Sequence, residues 1–170
     1  IGKKKVLVAK KIIKNINNKI SVNIYKNKID KNNIDKIGKN YSIICDGTDN
    51  FKTRYLINDY CIKNKKILIS AAINKFDGQL FNFDFRNKSP CFRCFMPQIP
   101  SDEVNCQSDG IMTTLAGMAG SLQANEVIKS ILNIKNKKKG NVVIFNSLNS
   151  DFRVVKLLKN PDCKNKNLHG

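Results

Sequence analysis

Two carboxylates stand three residues apart in the stretch Cys45-Asp46-Gly47-Thr48-Asp49-Asn50. Acids so placed suit a hard cation that also holds phosphate oxygens, since magnesium takes oxygen ligands and is usually bound by one or two carboxylates. Asp46 and Asp49 could equally serve only the turn and the start of a helix, where negative charge is favoured. Asn50 fits the helix cap. On spacing alone both readings of the acids stay open.

A second group is rich in sulfur. Cys91 and Cys94 form a Cys-x-x-Cys pair, half of a zinc site. Cys163, in Asn-Pro-Asp-Cys, adds a third ligand after two strands return the chain. A closed zinc site wants four ligands. The usual fourth position, three residues on, is Lys166, and the only histidine, His169, lies within reach. The alternative is a lost site with reduced, buried thiols. Cys106 stands just before a long helix, where the helix dipole favours a thiolate, so it is a candidate nucleophile. Single cysteines are more often inert. Cys45 and Cys61 fall on apolar faces and read as core. Lys5 opens the first helix and is, by itself, one lysine among 27.

These residues need elements to hold them. Val6, Ala9, Ile12, Ile13 and Ile16 are spaced for a helix over 5–17. Residues 20–25 alternate and read as a strand. A short helix over 30–38 would end at Gly38. A strand at 42–46, a tight turn and a helix over about 50–64 place the two acids at a strand end. Ligands collect there in open α/β sheets. Residues 67–72 read as a buried strand, so the strand–helix–strand rhythm implies a parallel pair. Asp77-Gly78 reads as a turn before a strand at 79–85. Residues 86–110, with three prolines and three cysteines, read as a long functional loop. A helix follows over about 110–133, capped by Ser108 or Asp109. Gly117 and Gly120 within it imply close packing against another backbone. Strands at 142–146 and 152–158, a turn near Asn149 and a polar tail complete the chain.

Composition sets bounds. The chain has 170 residues and a formal charge of +18, but only 4 of its 31 basic residues are arginine. Arginine is the residue best suited to phosphate and base recognition. The 27 Lys, 24 Asn and 22 Ile are residues of A/T-rich codons, and the lysines are scattered. A solvated lysine surface is therefore expected, with no specific nucleic-acid partner. No apolar run is long enough for a membrane span. Free thiols without a secretory signal imply a reducing compartment, the cytoplasm or an organelle stroma.

Taken together the motifs resemble the ThiF/MoeB/HesA family, relatives of ubiquitin-activating enzymes. The matching pieces are 45–59, Asp-Gly-Gln at 77–79, Pro-Cys-Phe-Arg-Cys at 90–94 and Asn-Cys at 105–106. Gly-Ser-Leu-Gln-Ala-Asn-Glu-Val-Ile-Lys at 120–129, Phe-Arg at 152–153 and Asn-Pro-Asp-Cys at 160–163 continue them. The resemblance covers nearly the whole chain. It implies a Rossmann-like α/β fold: a mostly parallel sheet with helices on both faces, extended by antiparallel strands at the C-terminal end. It also implies MgATP-dependent adenylation of the C-terminal Gly-Gly carboxylate of a ubiquitin-like sulfur carrier. A sulfur donor would then give the thiocarboxylate for thiamine or molybdopterin synthesis.

Residue by residue, the resemblance points to Asp49 as a magnesium ligand, with Asp46 and Asn50 beside it. It points to Lys5 as the cation on the α-phosphate and to Arg54 as orienting the motif helix or meeting the nucleotide. Cys106 matches the cysteine that joins the carrier in thiamine-pathway members, within a crossover segment at 95–109. Cys91, Cys94 and Cys163 match three of four zinc ligands; the fourth family position, at Lys166, is a departure, and His169 is the candidate within reach. Members are usually homodimers. The family's Gly-x-Gly-x-x-Gly loop precedes the lysine and is not in this chain. The expectation is thus a C-terminal part of an adenylyltransferase, without the first βαβ unit. A non-catalytic module that binds the carrier is the alternative.

Overall fold

The computed structural model describes residues 2–99, 110–134 and 140–169. Its centre is a five-stranded mixed sheet in the order β1-β2-β3-β4-β5. The strands are β1 Ile43–Asp46, β2 Ile67–Asn74, β3 Asp77–Asp84, β4 Asn141–Asn146 and β5 Asp151–Lys156. Only β1 and β2 run parallel, joined by helix α3 (Phe51–Lys63) as a crossover. The other three ladders are antiparallel. Parallel pairing therefore marks the end that carries the two acids.

Period-2 alternation sorts the strand residues onto two faces. Ile67, Ile69, Ala71 and Leu80 pack with Leu115 and Ala119 of helix α5 (Thr113–Ile131) and with Phe145. On the other face Leu68, Phe81 and Phe83 pack with Tyr55 and Ile57 of α3 and with Phe92 of the one-turn helix α4 (Phe92–Phe95). Helices thus cover both faces. The remaining elements are α1 (Lys5–Ile16), α2 (Ile34–Gly38) and a 3-10 turn at Lys166–Leu168. No helix is long and apolar enough to cross a membrane, among the described residues.

Several expectations change. Residues 20–25 form no strand. Alternation supplies two faces, but a strand also needs a neighbour to bond, and β1 pairs only with β2. Asp77 and Gly78 lie inside β3, and the reversal falls at Lys75–Phe76, with Lys75 at φ 49°. The full β2–β3 register, Ile67 opposite Asp84 to Asn74 opposite Asp77, outweighs the local turn preference. The long helix begins at Thr113, and the expected caps Ser108 and Asp109 lie outside the described residues. Among the described residues a Cβ on Gly117 or Gly120 would meet nothing within 4 Å, so neither packs on a described backbone. Cys45 is exposed rather than core, because β1 is an edge, while Cys61 is fully buried. Helix α1 has the expected bounds but buries no side chain.

Gly78 has a packing role. A Cβ there would come within 2.1 Å of the ring of Phe145, which is itself fully buried across the β3–β4 ladder. We expect Gly78→Ala to cost about 1–3 kcal/mol, the usual range for overpacking, measured by urea denaturation.

Candidate functional site

Strand β1 ends at Asp46, and Asn50, four residues later, caps α3, which begins at Phe51. The Asn50 side-chain oxygen accepts from the Thr53 amide at 2.9 Å. The loop between is held by the carboxylate of Asp46, 1 % exposed. Its Oδ1 accepts from the Thr48 amide at 2.9 Å and the Thr48 hydroxyl at 2.7 Å. Its Oδ2 accepts from the Ser70 hydroxyl at 2.8 Å and faces Arg54 Nε at 3.7 Å.

Arg54 is buried too, at 5 % exposed. It donates to the Thr48 carbonyl at 2.6 Å, the Ala71 carbonyl at 3.1 Å and Ser70 Oγ at 3.3 Å. Its guanidinium also lies over the Phe92 ring, 5.6 Å from the centroid. A buried ion pair is tolerated only when further hydrogen bonds satisfy both groups, and these do. The two acids therefore differ in kind. Asp46 faces inward and is spent on the loop, and Asp49 is exposed with one bond from Asn50 Nδ2 at 3.3 Å. Thr48 and Ser70 are parts of this site that sequence reading did not single out. Ser70 lies 24 residues from Asp46, and only the β1–β2 register puts it opposite.

The sulfur cluster assembles on the α3 face. Cys91, Cys94, Cys163 and His169 present ligand atoms that all lie within 4.8 Å of one another. Cys91 Sγ and Cys163 Sγ are 3.7 Å apart. His169 Nε2 is 3.7, 3.5 and 3.4 Å from the sulfurs of Cys91, Cys94 and Cys163. Bond lengths of 2.3 Å to sulfur and about 2.0 Å to nitrogen give tetrahedral edges of roughly 3.8 and 3.6 Å. The donor set fits a tetrahedral ion. His169 Nδ1 donates to the Ser89 carbonyl at 2.9 Å, which turns the Nε2 lone pair toward the sulfurs. Burial, with the neighbouring thiols Cys94 and Cys163, pushes the Cys91 thiol up to about 12. A metal that takes this site must displace protons.

A polar plate fastens this cluster to α3. Arg93 makes a two-pronged ion pair with Asp59, both distances 2.7 Å, and lies 4.3 Å over the Tyr55 ring. Asn165 donates to Asp59 at 2.8 Å, and Asn58 accepts the Phe92 amide at 2.9 Å. Burial of Asp59 would raise its pKa, but bonds from Arg93, Asn165 and Asn58 and the Arg93 charge hold it lower on balance. None of these partners was legible as part of the site. Lys5 is exposed at the start of α1, and no hydrogen bond or ion pair joins it to the Asp49 loop among the described residues. Cys106 lies outside the described residues.

The two acids make opposite predictions. Arg54→Met, which strands the buried Asp46 carboxylate, should cost about 3 kcal/mol or more in urea denaturation. Asp49→Ala should leave the denaturation midpoint where it is.

The ThiF family profile matches residues 1–165. The probable molybdopterin-synthase adenylyltransferase of Pyropia yezoensis is 37 % identical over 161 residues, 93 % of this chain and 42 % of that protein. The sulfur carrier protein adenylyltransferase of Thermus thermophilus is 32 % identical over 169 residues, 96 % of this chain and 62 % of that protein. The crystal structure of MccB from E. coli superposes with a TM-score of 0.80 at 18 % identity, covering 96 % of this chain and 50 % of that one. The chain spans about two fifths to three fifths of the length of these relatives. Strand–loop–helix motif, two-sided mixed sheet and family match agree, and the chain belongs to the ThiF family.

Proposed function

We propose that this chain is the part of an ATP-dependent adenylyltransferase that activates the C-terminal Gly-Gly carboxylate of a ubiquitin-like sulfur carrier. The observation that carries the reading is the division of labour between two acids at one strand end. A buried Asp46 fixes the loop, and an exposed Asp49 at the N-terminus of α3 has no ion pair among the described residues. Such a carboxylate can hold magnesium while backbone amides at the helix start face phosphate oxygens. Magnesium, when bound, would offset charge on the triphosphate.

In this reading a carboxylate oxygen of the carrier attacks the α-phosphorus of ATP. The bond from that phosphorus to the bridging oxygen breaks, and pyrophosphate leaves. Lys5 is assigned to the α-phosphate and Arg54 to positioning, through Asp46 and the Thr48 carbonyl. Asn50 serves as cap. Cys106 is assigned the later covalent bond to the carrier: its thiolate attacks the acyl carbon of the adenylate and expels AMP, and sulfide from a sulfur donor then expels the Cys106 thiolate to give the thiocarboxylate. A homodimer in a reducing compartment completes the proposal.

Cys91, Cys94, Cys163 and His169 are proposed to hold zinc in a closed, structural site. The test is metal content and spectrum. One zinc per chain should be found, and cobalt substitution should give a tetrahedral spectrum with thiolate charge-transfer bands. His169→Ala should weaken binding by more than the roughly 10–100-fold that loss of an outer-shell partner costs. Its thermal midpoint should fall. A wild-type affinity in that variant would remove His169 from the ligand set.

Function is tested by ATP–pyrophosphate exchange with the native full-length protein and a Gly-Gly-terminated carrier. Exchange should require magnesium and should be abolished in Asp49→Ala, which folds normally. Absence of exchange, with carrier binding retained, would favour a non-catalytic binding module.

A further inference from the structure

The family-like run at 120–129 has so far been given no task, yet it carries a polar residue on the buried stripe of α5. Leu115, Ala119, Glu126 and Ser130 mark that stripe, and Gln123 lies on it. Its amide nitrogen donates to two carbonyls, Asp46 at 2.8 Å and Ile69 at 3.1 Å. Those carbonyls belong to neighbouring parallel strands, at the end where Asp46 pairs with Ser70. A Cβ placed on Gly47 would come 3.9 Å from Gln123 Oε1, so the loop starts directly over this amide.

We propose that Gln123 is a positioning residue for the adenylation site, setting where the loop 46–50 leaves the sheet and hence where the Asp49 carboxylate stands. This rests on the adenylyltransferase reading above. The geometry carries it because Asp46 is gripped at both ends. Its carboxylate is held from the α3 side by Thr48, Ser70 and Arg54. Its carbonyl is held from the α5 side by Gln123. The peptide that follows that carbonyl is the first of the loop. Turning it would swing Gly47, Thr48 and Asp49 together, and among the described residues only Gln123 bonds its oxygen from outside the sheet. Both amide hydrogens have an acceptor, so the group has one preferred orientation. An apolar residue would fill the stripe equally well but would leave the loop unregistered.

The test compares wild type with Gln123→Met, which keeps length and removes both donors, and with Gln123→Glu, which keeps size and polarity. All are made in the native full-length protein. In pyrophosphate exchange, kcat should fall roughly ten- to a hundredfold, the loss that ångström-scale misplacement produces. The half-saturating magnesium concentration should rise, and the KM for carrier should stay within about twofold of wild type, because the carrier meets other surfaces. Hydrogen exchange at the Thr48 and Asn50 amides should quicken while the core of β2 stays protected. Wild-type kcat and magnesium dependence in both variants would overturn the proposal. So would a loss of activity accompanied by uniformly faster exchange, or unfolding of both variants, since each makes Gln123 a general packing residue. If wild type shows no exchange, the adenylation reading fails, and amide protection at Thr48 and Asn50 still decides whether Gln123 registers the loop.

Discussion

The structure depends on a charge buried at the end of a strand. Asp46 is almost without solvent, and an ionised carboxylate there is tolerable only because Arg54, Ser70 and Thr48 surround it. Each of those partners comes from a different element. Arg54 is on α3, Ser70 is on β2, and Thr48 is in the loop itself. Satisfying one carboxylate therefore fixes the crossover helix, the parallel ladder and the turn relative to one another. What is left over is a single outward acid, Asp49, on a rigid mount.

The same helix ties this end of the sheet to the sulfur cluster. Arg54 stacks toward Phe92, the residue after Cys91. One turn along α3, Asn58 accepts from the Phe92 amide, and Asp59 receives Arg93 and Asn165. Tyr55 donates from the same face to the Met96 carbonyl at 2.6 Å. Helix α3 is thus a strut with the Asp46–Asn50 loop at its head and the Cys/His cluster along its flank. Distances along it are set by helix geometry, which changes less than loop geometry under thermal motion.

Sequence reading recovered the elements whose own residues declare them. The α1, β1 and α3 bounds follow from apolar spacing and the Asn50 cap, and His169 stood out because it is the sole histidine. The failures share a cause. The alternation of 20–25 needs a bonded neighbour that the residue pattern does not supply. The Asp77-Gly78 turn preference yields to an eight-pair register and to the ring of Phe145. Asp46 and Asp49 look alike in sequence, and what separates them is Ser70 and Arg54, brought in by the ladder and the helix turn. Residue type and spacing announce chemistry. The environment that assigns each group its role is made by contacts distant in sequence.

The sulfur cluster has a consequence for how the molecule comes apart. Cys91 and Cys163 are 72 residues apart in sequence, and between them lie α5, β4 and β5. An ion held by both closes that span into a ring, a constraint worth about 4 kcal/mol for a covalent link of similar length, in the chain-entropy view. Strand β5 is exposed along its whole length and would otherwise fray from the sheet edge by itself. With an ion bound there and the downstream tail anchored on the α3 face, peeling it away would require either releasing the ion or straining the ring. A metal there would thereby join a weak edge to the cooperative unit of the core.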